Sequence, residues 1–388
     1  MAESYRIEGT VAAGYESVKE MFTEFFSLGS DKHSQVCVYV GEEKVIDLWG
    51  TTGDNSNYNA DSLTTVFSSS KNLTALVMAM AKDRGWLDYS DKISKHWPEF
   101  GQQGKEDIMI ADLMRHEAGL ASFPIAFDYE DLLTENVKKN SLGSKIATFP
   151  PQYPAHGKRQ YHSITRGWIA NEIFRRVDPD HRTIGEFLQM EVASKLGADV
   201  YIGCDLSNYC DVENIDFWFA LKESLKHSLG YPSASEISFG EFMFSLQSII
   251  RMGQPIRMIK EFEGLMDFNT LKYRTIEIPS ANANCSARGL ALVGAMLANK
   301  GVLKGTRVLS EEAWAAMHAN PTEGKLFGDI SYPFTQGGVA KFGGLREGYY
   351  GWFGYGGSVF QWNPTDKVGF AYTCSQLFWV RSFNVLTF

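Results

Sequence analysis

Phe67-Ser68-Ser69-Ser70-Lys71-Asn72-Leu73-Thr74-Ala75 is the stretch on which the reading of this chain turns. Its core, Ser68-Ser69-Ser70-Lys71, is the only Ser-x-x-Lys in the 388 residues. Roughly one or two such spacings arise by chance in a chain of this length. A helix-capping serine followed by a solvated lysine would look the same, so position has to decide. The motif runs into residues 71–84, where Leu73, Leu76, Val77 and Met80 share one helical face and Gly85 supplies a stop. Ser68 then stands at a helix N-terminus, where backbone amides and the dipole stabilise developing negative charge. Lys71 follows one turn later on the same face. An amine there takes or relays the serine proton once its pKa is lowered. Ser69 and Ser70 are serines too, but neither has a lysine three residues on.

On either side of this segment lie the parts of a sheet. The runs 35–40 and 45–49 flank Gly41-Glu42-Glu43-Lys44 and read as a hairpin. The runs 358–362 and 367–373, around Asn363-Pro364-Thr365-Asp366, repeat the device at the other end. A lone hairpin is marginal, so the two imply one antiparallel sheet built from both ends of the chain. Helical periodicity marks 13–28 and 287–300, the second after Ser286, an N-cap type. The expected fold class is α/β (α+β). Residues 1–84 and 271–388 form the sheet domain, 85–270 form an inserted, mainly helical region, and the active site lies between them. The aromatic-rich stretch 214–246 is assigned to the helical core in preference to an acyl pocket.

Composition excludes several classes. With 46 acidic against 37 basic residues, the net charge of −9 argues against nucleic acid as a partner. The five cysteines, 37, 204, 210, 285 and 374, form no CxxC pair, which argues against a zinc site or a disulfide scaffold. The polar N-terminus has no apolar signal core, and the longest apolar helical stretch, 289–298, is half a membrane span. The expectation is a cytoplasmic protein without a membrane span. No GxSxG, HExxH, P-loop or GxGxxG pattern occurs.

Residues 67–75 resemble the nucleophile segment of the serine β-lactamase and penicillin-binding-protein superfamily. Two further elements of that family have counterparts. Pro154-Ala155-His156-Gly157 leads into Tyr161-His162-Ser163, matching its Tyr-x-Asn/Ser element, 90 residues after Lys71. A cation beside Tyr161 would stabilise its phenolate, so that the tyrosine serves as a base near neutral pH. His162 is the rival base, but Tyr161 fits the pattern better; His116 and His156 are read as structural. The third element, Lys-Thr-Gly or His-x-Gly in the family, matches Trp352-Phe353-Gly354, just before the last hairpin.

Tryptophan in place of the cation resembles the family VIII carboxylesterase branch. It cannot pair with a substrate carboxylate and offers an apolar face and one N–H. The resemblance, which runs from about residue 15 to 375, implies catalytic Ser68, Lys71 and Tyr161. It implies an oxyanion hole from the amides of Ser68 and Tyr355, and substrate contacts from Ser163, Trp352 and Gly354. No metal or organic cofactor is implied. The family closes on a longer C-terminal helix, whereas this chain stops about 15 residues after its last strand, which implies a short final helix or a different cover for the sheet.

The expected function is a serine hydrolase forming an acyl-enzyme on Ser68, acting as a carboxylesterase on small neutral or apolar esters. A β-lactamase or D-aminopeptidase-type amide hydrolase, an acyltransferase using the same acyl-enzyme, and a non-catalytic scaffold or filament protein stay open as alternatives. The partner is a small-molecule ester or amide, and a homo-oligomer is compatible with the sequence.

Overall fold

The β-branched and aromatic runs near both ends do become strands. A computed structural model of the chain describes residues 4–53, 57–156, 158–235, 238–243, 258–327 and 330–377. His33–Val40 pairs antiparallel with Glu43–Thr52, and Val359–Asn363 with Val368–Cys374. The two hairpins meet in the middle of one sheet, where Ala371 faces Cys37 and Tyr372 faces Val36. The full order is Tyr5–Val11, Glu43–Thr52, His33–Val40, Val368–Cys374, Val359–Asn363, Tyr350–Phe353, Ala340–Lys341, every pair antiparallel.

The central strands are buried along nearly their whole length because both faces are covered. Side chains alternate between the faces. Cys37, Tyr39 and Ala371 share a core with Leu290 and Val293 of the helix Ala287–Ala298. Val36, Val38 and Phe370 join Val18, Phe22 and Phe26 of the helix Glu16–Ser27. The first helix is capped by Ser286, whose side chain accepts the Gly289 amide at 3.0 Å. It approaches the sheet through glycine. A Cβ on Gly369 would lie 2.2 Å from the Ala295 nitrogen.

Three differences from the sequence reading have physical causes. Ser70–Asp83 is buried all round, not along one stripe, because Ala75, Ala79 and Ala81 fill the faces between the large residues and other elements close on every side. The middle of the chain also contributes strands. Val200–Ile202 pairs with Ala283–Cys285, which pairs with Thr64–Thr65; Glu213–Asn214 pairs with Gln376–Leu377. Elements of two or three residues carry no periodicity to read. The 214–246 stretch divides. Ile215 and Phe242 are buried, but Trp218 on the helix Phe217–Ser228 is 72% exposed, since that helix has only one face against the protein. Phe244, Gly157 and residues 378–388, where the short final helix was looked for, lie outside the described residues. Among the described residues no helix is long and apolar enough to cross a membrane.

Candidate active site

The chain enters the site through a strained turn. Thr64–Thr65 ends in the small sheet, Val66 donates its N–H to the Ala283 carbonyl at 2.9 Å, and Phe67 takes a positive φ of 44°. A bulky residue there costs about 1–3 kcal/mol. The turn is over-determined. Ser70 Oγ donates to the Phe67 carbonyl and accepts the Ala283 N–H at 3.0 Å, and the Phe67 ring packs edge-on against Phe268 and Tyr355. Ser69 Oγ lies 3.2 Å from Ser358 Oγ, which itself donates to the Val66 carbonyl at 2.7 Å. Both rival serines are therefore occupied in holding the turn, and Ser68 alone faces the interior of the site.

Ser68 Oγ has two side-chain partners. The Tyr161 hydroxyl donates to it at 2.8 Å, and Lys71 Nζ lies 3.2 Å away. Lys71 is 2% exposed and also donates to the carbonyls of Ser163 at 2.7 Å and Ser280 at 2.9 Å. No carboxylate among the described residues pairs with it. Burial, reinforced by the Arg166 charge, pushes its pKa well below the ordinary lysine value. An uncharged amine has two hydrogens and one lone pair. The two carbonyls take the hydrogens, which leaves the lone pair toward the Ser68 hydroxyl.

Tyr161 titrates in the opposite sense to the sequence expectation. Burial is the largest influence and raises its pKa above the usual phenol value. Hydrogen bonds with Ser68 and Trp352, and the Arg166 charge, act against that without reversing it. Tyr161 is accordingly a phenol near neutral pH, not a phenolate.

His162 is neutral and fully engaged. Its Nδ1 faces the Gln160 carbonyl at 2.6 Å and must carry the proton, while Nε2 accepts the Leu120 N–H at 2.9 Å. Burial lowers its pKa to about 4. The His116 ring lies 4.9 Å from the Tyr161 ring, tilted at 44°, and His156 is exposed beside Asp112.

The third element differs from expectation in its use. Trp352, on the strand Tyr350–Phe353, is 2% exposed. Its indole N–H donates to the Tyr161 oxygen at 3.1 Å, and Phe353, Phe334 and Tyr332 pack around the ring. It offers little apolar face to a ligand because those aromatics already cover it. Gly354 is likewise required by the protein. A Cβ there would lie 2.2 Å from the Val66 carbonyl, and its N–H goes to the Ser358 carbonyl at 2.8 Å. This contact presses the 354–358 turn against the nucleophile turn. The amides of Ser68 and Tyr355 donate to no protein acceptor among the described residues. The Ser163 hydroxyl is buried and also has no partner there.

A model of the Beta-lactamase family matches residues 32–387.

The chain belongs to the beta-lactamase family.

It is 27% identical over 383 residues to the esterase/beta-lactamase LipL of Mycobacterium tuberculosis (strain ATCC 25618 / H37Rv), covering 96% of this chain and 83% of that protein. The crystal structure of a family VIII carboxylesterase has the same fold, with a TM-score of 0.77 at 24% identity over 96% of this chain and 94% of that one. EstA from Arthrobacter nitroguajacolicus Rue61a gives 0.74 at 26% identity, over 95% and 92%. A penicillin-binding-protein homologue from Caulobacter crescentus gives 0.74 at 26%, over 96% and 94%. The protein is thus a serine hydrolase of the esterase/β-lactamase type. Within this beta-lactamase-family site, three contributors escaped the sequence reading. The Ser280 carbonyl and the Ser358 hydroxyl act through chain segments distant in sequence, and Arg166, three residues after Ser163, belongs to none of the three motif elements.

Proposed function

We propose that this protein is a carboxylesterase that forms an acyl-enzyme on Ser68 and acts on small neutral or apolar esters. The observation that carries the reading is the Trp352 N–H donated to the Tyr161 oxygen. The position that would hold a cation for a substrate carboxylate holds a buried indole, whose one polar atom serves the protein.

The steps follow from the hydrogen-bond directions. Trp352 donates to Tyr161, Tyr161 donates to Ser68, and the Ser68 hydroxyl is left to donate to the Lys71 lone pair. Ser68 Oγ bonds to the ester carbonyl carbon as its proton passes to Lys71. The carbonyl oxygen becomes an oxyanion facing the unoccupied amides of Ser68 and Tyr355. As the ester C–O bond breaks, the leaving oxygen takes the Tyr161 proton. The phenolate formed lies against the Trp352 N–H, with the Lys71 ammonium 4.8 Å over its ring, and recovers a proton from Lys71. Water then attacks the acyl group by the same relay and releases the acid.

The test is hydrolysis of short-chain p-nitrophenyl esters by wild type and Ser68→Ala, with intact-mass detection of the acyl-enzyme. The expected loss is at least about 10³-fold; retained activity with no mass adduct on Ser68 would overturn the reading. The relative's name, esterase/beta-lactamase, supports a second reading as a lactam hydrolase. A chromogenic cephalosporin turned over faster than the ester would favour it.

A further inference from the structure

Arg166 lies in the first turn of the helix Thr165–Val177, five residues after Tyr161, and is fully buried. A buried guanidinium costs several kcal/mol unless it is paired. Other buried arginines in this chain are paired in the usual way, Arg159 with Glu117 and Arg175 with Glu172. Arg166 makes no ion pair among the described residues. Its Nη2 lies 3.4 Å from the Lys71 carbonyl, and its Nε has no acceptor. Its Nη1 lies 3.4 Å from His116 Nε2. That contact does not satisfy it. His116 Nδ1 accepts the His162 N–H at 3.0 Å, so the ring proton of the neutral imidazole sits on Nε2, donor against donor. Gly338 closes the remaining side, where a Cβ would lie 2.6 Å from Nη2. Among the described residues no carboxylate neutralises the charge, and one backbone carbonyl, that of Lys71, accepts from it.

The titratable groups around this charge are Lys71 on the helix Ser70–Asp83, Tyr89 and His116 on the segments packed alongside, and Tyr161 and His162 just upstream of Arg166. Among them only the tyrosines become anionic, and only Tyr161 reaches Ser68.

We propose that Arg166 is a positioning residue of the hydrolytic site, whose buried, unpaired charge keeps Lys71 an amine and readies Tyr161 to release its proton, without touching the substrate. The inference rests on the acyl-enzyme reading above. The sign is the same for both groups. A nearby cation disfavours the Lys71 ammonium and favours the Tyr161 phenolate, so it draws both titrations to lower pH. Its removal moves both upward.

The experiment compares pH profiles of kcat/KM for a short-chain p-nitrophenyl ester in wild type, Arg166→Met and Arg166→Lys, all full-length. For the methionine variant both limbs should rise by about one pH unit, and the lysine variant should return them to near wild type. Lower activity with unmoved limbs would make Arg166 structural and overturn the proposal. If near-UV circular dichroism shows the methionine variant unfolded, Arg166→Gln takes its place in the comparison. A second readout needs no substrate. In protein carrying ¹³Cζ-tyrosine, with Tyr161→Phe to assign the resonance, Tyr161 should titrate at higher pH without Arg166. An unchanged titration would overturn the proposal even if Ser68→Ala had already upheld the esterase reading.

Discussion

Two neighbouring regions handle buried charge in opposite ways. Glu172, in the middle of the helix Thr165–Val177, is fully buried, and its Oε2 accepts from both Arg175 and Arg176. Asn140, in a left-handed conformation, braces the same two guanidinium groups at 2.7 and 2.6 Å. Two turns earlier on that helix Arg166 has no anion, and Lys71 beside it has only carbonyls and a hydroxyl. Paired charge fixes the helix against its neighbours and has little freedom to change protonation. Unpaired charge is costly, and in the proposed mechanism it leaves Lys71 and Tyr161 free to exchange protons. One helix thus carries a structural ion cluster at one end and the electrostatics of the site at the other.

The comparison is tested most severely at Lys71. Lys71→Met should lower kcat for ester hydrolysis by about 10³–10⁴-fold, while the melting temperature changes little, because losing the hydrogen bonds to the Ser163 and Ser280 carbonyls is offset by removing a buried amine that has no carboxylate partner. A variant that melted far earlier would mean that Lys71 braces the fold. Glu172→Gln should do the reverse. Leaving the buried Arg175 and the half-buried Arg176 without their carboxylate should cost about 3–5 kcal/mol in denaturant unfolding, with kcat/KM changed by less than about threefold in the protein that remains folded.

A smaller effect comes from Glu277, a third kind of buried charge centre, which has donors but no cation. It is held by Thr183, by Asn171 at 3.1 Å and by the Gly185 amide at 3.3 Å. Burial raises its pKa to about 7. The unfolded carboxyl ionises near 4.5, so the stability due to the folded acid is complete below that pH and is lost as pH rises to about 7. The loss is about 3 kcal/mol. Glu277→Gln should flatten this slope in urea titrations. An unchanged slope would mean that Glu277 is already ionised, and therefore paired as Glu172 is.

Much of this was legible because it was local. Ser68 and Lys71 sit one turn apart on a helix whose start and stop are written in the chain. The hairpins carry alternation and turn residues, and Tyr161 follows a matching lead-in. What was not legible depends on distant segments meeting. The Ser280 carbonyl that holds Lys71 is a backbone group and has no residue signature. The strand Val200–Ile202 is too short for a period. The resemblance places Trp352 at the third element, but its orientation toward Tyr161 follows from Phe353, Phe334 and Tyr332 enclosing it. The phenol state of Tyr161 was misjudged for a related reason: the nearby cation was visible in the sequence, and the depth of burial was not.

The junction at the centre of the sheet bears on how the chain is made. Cys37, paired with Asp47 in its own hairpin, finds its second partner strand only at Ala371, about 330 residues later. During synthesis the first hairpin leaves the ribosome with an unsatisfied edge and waits, at about 5–20 residues per second, for roughly 15 to 70 seconds before its neighbour exists. Contacts of such high contact order form late. The open edge of His33–Val40 is therefore the nascent chain's point of greatest exposure to wrong strand pairing, and ribosome-stalled chains ending before residue 359 should be the ones that chaperones hold longest.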